Sequence, residues 1–156
     1  DAAALSHDPE ARLVAVAVAI RTWAVTHPHE YALLYGSPVP GYAAPEDTVV
    51  PGTRVSFALL RVVAEAHEDG LLDRADETDV PLSASTRRDV EQLTAVTGIA
   101  VPPEALFRAL QAWTQLFGLV SFEVFGQTKG LVTKSESFCA DAALAQARAI
   151  GLADEP

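Results

Sequence analysis

The stretch "VPPEALFRALQAWTQLFGLVSFEVFG", residues 101–126, constrains the fold of this chain more than any other. Over about 103–125 its apolar residues recur at helical spacing, with Leu106, Leu110, Trp113, Phe117, Val120 and Val124 along one face. Phe107, Ala109, Ala112, Leu116 and Leu119 cover much of the remainder. A helix apolar nearly all round has to be enclosed on more than one side, because any open face leaves that surface in water. Arg108, Gln111, Gln115 and Glu123 interrupt the run too often for a membrane span. The enclosure is therefore protein: either the chain's own core or, in part, a second subunit.

The rest of the chain reads as helix punctuated by Pro and Gly. "DPEARLVAVAVAIRTWAVTH" opens with Asp8 as N-cap, Pro9 at the first helical position and Glu10 near the positive helix end, and predicts a helix over 9–27. "LVAVAVAI" alone would also suit a strand, but its alanines and the periodic extension through Leu13, Val16, Ala17, Ile20, Trp23 and Ala24 favour helix. Pro28 ends it. A short helix over 28–35 stops at Gly36, and "SPVPGYAAPED", 37–47, is a Pro/Gly loop. Asp47 or Thr48 caps a third helix to about Glu68, with Val55, Leu59, Val62, Val63 and Ala66 as its buried stripe and Gly70 after its end. A polar link over 73–82 precedes a helix at 84–97, opened by Ser83 or Ser85 and closed by Gly98. A last helix starts at a Ser135 cap and ends at Gly151. The expected fold is an all-α bundle of about six helices, forming a single domain over 1–156. A chain of this length buries roughly 70% of its unfolded surface without needing a disulfide or metal.

Charge narrows the function. The formal net charge is −10, from 21 acidic against 11 basic residues, which argues against this chain itself gripping phosphate backbones. One Cys excludes an internal disulfide framework and agrees with a reducing cytoplasm. No signal-peptide pattern opens the chain, and it contains no Met, so a preceding segment is expected. Cys139 has Ser137 and Asp141 near it in sequence but no His in register, and no nucleophile elbow, phosphate loop or dinucleotide fingerprint is present.

"WAVTHPHEYALLYGSPVPGY", 23–42, concentrates the unusual residues. His27, His29 and Glu30 could in principle serve a zinc ion or the acid–base chemistry of a small helical lyase or hydrolase. The plainer reading is a helix start: His27 at the cap, Pro28 at N1 and Glu30 at N3, its carboxylate near the open amides. His7 and His67 lack ligand spacing, so no metal site is expected. The aromatic residues divide between core filling and something more. Trp23, Tyr31, Tyr35, Tyr42 and Phe57 fall on the first elements, Trp113 and Phe117 on the long late helix. Trp and Tyr each carry a polar tip that needs a partner, and several together suggest an amphipathic cavity for a small ligand. On the last helix Ala140, Ala143 and Ala147 make a small-residue face, which with Leu116 and Leu119 predicts a four-helix dimer interface of the last two long helices. A filled, ligand-free dimerisation module is the alternative.

Two motifs carry a resemblance. "RTWAVTHPHEYALLYGSPVPGY" followed by "LFRALQAWTQLFGLVSFEVFG" resembles the C-terminal domain of TetR-family transcriptional regulators, in the subgroup named for a Trp-His-Gly signature. The first motif is matched at Trp23, His27, Pro28, Glu30, Tyr31, Leu33, Leu34, Gly36, Pro38, Pro40 and Tyr42, and the likeness runs over about 9–150. The second is matched at Trp113 and Gly118, with Phe117 where a histidine is expected, which makes the cavity more apolar. The resemblance implies a helical effector-binding and homodimerisation domain of a cytoplasmic bacterial repressor, without cofactor, enzymatic activity or membrane contact. Operator DNA would be gripped by an N-terminal helix-turn-helix domain outside this chain. It implies a small apolar or aromatic effector, walled by Trp23, Tyr31, Tyr35, Phe57, Trp113 and Phe117, that shifts the connecting helix 9–27.

Overall fold

In the computed structural model, residues 8–36, 49–72 and 81–152 are described, with the backbone alone for 49–53. The Pro/Gly loop 37–47, Tyr42, the Asp47 or Thr48 cap and most of the polar link fall outside these residues. The described residues form six helices: α1 (Pro9–Thr26), α2 (Pro28–Tyr35), α3 (Val49–Glu68), α4 (Ala84–Thr97), α5 (Pro103–Val124) and α6 (Ser135–Ile150). Each matches a predicted segment to within a residue or two at its ends. The one pairing of strand type among the described residues is an isolated antiparallel bridge, Leu72 to Leu152, which fastens the chain after α3 to the end of α6.

The helix ends follow from local chemistry. Asp8 Oδ1 accepts from the Glu10 N–H at 2.8 Å, satisfying one of the open amides of α1. Ser83 Oγ accepts from the Thr86 N–H at 3.2 Å, and α4 closes on Gly98 at φ 72°, a conformation that costs a residue with a Cβ. The expected Ser135 cap is corrected: Ser135 is the first helical residue, and Lys134 occupies the cap position with no side-chain capping bond.

α1 is the hub. It packs most extensively on α6 and also touches α2, α3 and α5. Its buried positions are Leu13, Ala17 and Ala24, joined by Pro9 and Glu10. The buried face of α5 is Ala105, Leu106, Ala109, Ala112, Leu116 and Val120, and that of α6 is Cys139, Ala143, Ala147 and Ile150. The core of α5 is thus rotated from the predicted large-residue stripe toward its alanines. Leu110, Trp113, Phe117 and Val124 sit half-buried at the border. Small side chains are what let α1, α5 and α6 pack closely, as shown by Cys139 Sγ lying 4.0 Å from the Ala17 carbonyl oxygen.

Ion pairs fasten α1 to three neighbours. Arg21 makes a two-pronged pair with Glu123 of α5, Nε to Oε2 at 2.8 Å and Nη2 to Oε1 at 2.6 Å, with 13% and 17% of the two side chains exposed. That partner raises the Arg21 pKa further above its ordinary value, against the opposing effect of burial. Arg12 pairs with Glu65 of α3, which Arg61 also holds, and the two guanidinium groups keep the Glu65 carboxyl below its usual range. Glu10, buried, pairs with Arg148 of α6 at 3.2 Å.

Two substitutions test this packing. Ala17→Leu forces a larger side chain into the α1–α6 contact and is expected to lower stability by about 1–3 kcal/mol in denaturant unfolding. Glu123→Gln strands the Arg21 charge at a mostly buried site and is expected to cost about 2–3 kcal/mol, much of it recovered when Arg21→Met accompanies Glu123→Leu.

Candidate functional site

The site is built where α2 crosses α5. Gly36 ends α2 with its N–H on the Ala32 carbonyl at 2.9 Å; a Cβ there would stand 2.2 Å from that same oxygen, so only glycine fits. The short helix between Pro28 and Gly36 buries one residue completely, Tyr31. Its ring meets Tyr35 at 5.0 Å and Phe125 at 6.3 Å. Tyr35 meets Phe117 at 4.8 Å, and Phe117 meets Trp113 at 5.5 Å. The five rings form one continuous row of tilted contacts, the geometry their quadrupoles prefer.

The polar tips differ in what they touch. The Tyr31 hydroxyl lies 2.7 Å from Ser121 Oγ and donates to the Phe117 carbonyl at 3.3 Å, tying α2 to α5. The Tyr31 polar tip thus finds its partner inside the protein. Burial pushes its pKa up, partly offset by the Ser121 hydrogen bond, and burial alone pushes that of Tyr35 up. Both phenols stay protonated near neutral pH. Trp113 is the exception. Its Nε1–H is buried and meets no hydrogen-bond acceptor among the described residues. An indole N–H can only donate, and leaving a buried donor unmet costs about 1–3 kcal/mol.

Beside this row an open groove of about 350 Å³ runs between α4 and α5. Val90, Phe107 and Leu110 give it an apolar floor, and Thr86, Asp89, Gln111 and Thr114 its rim. Leu110 and Thr114 of this groove lie three residues before and one after Trp113 on α5, so the groove and the row occupy the same turns of that helix.

Of the six wall residues expected from sequence, Tyr31, Tyr35, Trp113 and Phe117 come together. Trp23 stands apart, 38% exposed and stacked on His27 with ring centroids 5.6 Å apart. Phe57 is half-buried on α3 and outside the ring contacts of the row. Ser121 and Phe125 belong to the site and were not anticipated. A hydroxyl four residues after Phe117 in an otherwise apolar helix was a readable signal for Ser121; Phe125 read only as a helix end.

His27, His29 and Glu30 are all exposed. The His27 ring folds back over α1, with Nδ1 3.0 Å from the Trp23 carbonyl oxygen and 2.8 Å from Thr26 Oγ1. The segment turns a corner between α1 and α2.

A second surface lies on the outside of α5 and α6. A groove of about 330 Å³ is lined by Gln115, Leu116, Gly118, Leu119, Phe122, Cys139, Ala142 and Gln146. Phe122 and Phe138 are 58% and 48% exposed. Leu116 and Leu119, expected at a dimer interface, border this groove. Ala143 and Ala147 are buried inside the subunit and Ala140 is half-buried, so the α6 side of the groove is Ala142 and Gln146. The small-residue face serves the chain's own packing, because α1 needs the close approach.

Comparison with known proteins agrees with this architecture. A family profile described as "Tetracyclin repressor-like, C-terminal domain" matches residues 13–147. The chain is 38% identical over 117 residues to the HTH-type transcriptional regulators Rv1816 and MT1864 of Mycobacterium tuberculosis strains and Mb1846 of Mycobacterium bovis. The match covers 74% of this chain and 48% of each relative, so the chain spans about half the length of the curated relatives it matches. The relatives are named as transcriptional regulators and the family is a regulatory one, which sets aside the enzyme alternative built on His27, His29 and Glu30. No helix among the described residues is long and apolar enough to cross a membrane. The chain belongs to the C-terminal domain family of the tetracycline-repressor-like transcriptional regulators.

Proposed function

We propose that this chain is the effector-sensing and dimerising part of a cytoplasmic transcriptional repressor, whose operator DNA is bound by a helix-turn-helix domain preceding it in the whole regulator. The observation that carries the sensing role is the aromatic row ending in the unmet Trp113 N–H. An apolar wall with one placed polar group is the usual make-up of a small-molecule site. An effector held there acts through its unequal affinity for two states of the dimer, which differ in the spacing of the DNA-reading heads.

Dimerisation through α5 and α6 is supported by the outer groove and by Gly118. A glycine inside a helix costs roughly 1 kcal/mol relative to alanine, and at Gly118 a Cβ would meet no other atom of the subunit within 4 Å. Among the described residues no neighbouring element crowds this position. Phe122, one turn further on, projects from the same face. A surface carrying both a notch and a knob suits a two-fold interface, where each copy offers both.

Two measurements test the reading. In a thermal-shift screen of small apolar compounds, ligands that raise the melting temperature of the wild-type chain are expected to bind Phe117→Ala about thirtyfold more weakly, as for loss of a central anchor worth about 2 kcal/mol. Equal affinity would remove the row from the site. In sedimentation equilibrium, Gly118→Ala and Phe122→Ala are each expected to weaken dimerisation. Gly118→Ala should leave helix content unchanged, since within the subunit alanine is the better helix former. A dimer untouched by both substitutions would place the interface elsewhere.

A further inference from the structure

We infer that the ligand of the aromatic row is a neutral molecule with a flat apolar body and one hydrogen-bond acceptor, a carbonyl or its equivalent, received by the Trp113 indole N–H. The inference rests on the sensing role proposed above and specifies the chemistry of the same site. Trp113 Nε1 is buried with no acceptor among the described residues, and its proton can be matched only by an acceptor, never by a donor such as an ammonium. The Trp113 indole is in ring contact with Phe117, and through it with Tyr35, so its surroundings are aromatic and apolar. Charge disfavours the obvious alternatives. Among the described residues lining the adjoining groove the one ionisable group is Asp89 and none is basic, so a carboxylate would find a like charge and no counter-ion. The nearby Arg87 is engaged with Glu104 at 2.5 Å. A cation would gain Asp89 at the rim yet leave the indole proton unmet.

Four probes sharing one skeleton separate these cases in isothermal titration of the full 156-residue chain. They are 2-acetonaphthone (neutral acceptor), 2-ethylnaphthalene (the hydrocarbon), 2-naphthoate (anion) and 1-(2-naphthyl)ethylamine (cation). The ketone is expected to bind about tenfold more tightly than the hydrocarbon, the usual worth of one neutral hydrogen bond, and the two ions more weakly than either. Trp113→Phe keeps a ring and removes the N–H; it should erase the ketone's advantage while changing hydrocarbon affinity by no more than about threefold. The ¹H–¹⁵N indole resonance of Trp113 in the unmodified protein gives a second readout that does not depend on the variant folding: the ketone should move it downfield and the hydrocarbon should not. A ketone no better than the hydrocarbon, or an ion preferred over both, overturns the acceptor and leaves the sensing site standing. Failure of all four probes to bind, or ketone binding that leaves the Trp113 resonance unmoved, overturns the site itself.

Discussion

The close packing of α1, α5 and α6 through small side chains is the constraint on which the rest of this structure depends. Ala17 and Ala24 from α1, Ala105, Ala109 and Ala112 from α5, and Cys139, Ala143 and Ala147 from α6 are all buried. Residues of this size bring helix backbones near one another but contribute little apolar area each, at about 25 cal/mol per Å² buried. The larger side chains needed to complete the core therefore come from its margins: Leu59, Val63, Leu106, Val120 and Ile150. The aromatic rings do not fit in the seam and are displaced to either side of α5.

That displacement gives α5 two working faces. Toward α2 it presents Trp113, Phe117 and Ser121; outward, with α6, it presents Gly118, Leu119 and Phe122. The faces alternate along the same two turns of helix, since residues three or four apart share a side and neighbours in sequence do not. A ligand that presses on Phe117 thus presses on a helix whose opposite side is the proposed subunit contact. No long relay is needed between the two, because one rigid element carries both.

Much of this was legible in the sequence because the signals were local. Pro9, Pro28 and Pro103 begin helices, Gly36, Gly98 and Gly151 end them, and the apolar period between is unambiguous over six segments. What could not be read was rotation. Periodicity weights large side chains, so the stripe Leu106–Leu110–Trp113–Phe117 looked like the centre of α5, whereas the alanines hold that place. Ala143 and Ala147, expected from their small size at a subunit contact, are already buried within the single subunit, and burial by a neighbouring helix cannot be told from burial by a partner in the sequence. Trp23 and Tyr31, eight residues apart on either side of Pro28, read as one aromatic cluster; the corner at His27 sends them to different places. The Arg21–Glu123 pair, far apart in sequence, has no local signature at all.

The ion pairs on α1 then bear on how such a domain could respond to what it binds. They are unequal. Arg21–Glu123 is two-pronged and mostly dry, near the end of α1 that meets α2, and breaking it would leave a charge with little water to receive it. At the opposite end, Arg148 of the Glu10 pair is 63% exposed, and Glu65 divides its carboxylate between Arg12 and Arg61. The Arg12–Glu65 pair is partly open to water, at 20% and 33% exposed, and only the Arg148 side of the Glu10 pair faces solvent, so both are screened more than Arg21–Glu123. The driest of the three pairs thus sits toward the α2 end of α1, while its other end is held by partly exposed pairs together with the buried Pro9, Glu10 and Leu13.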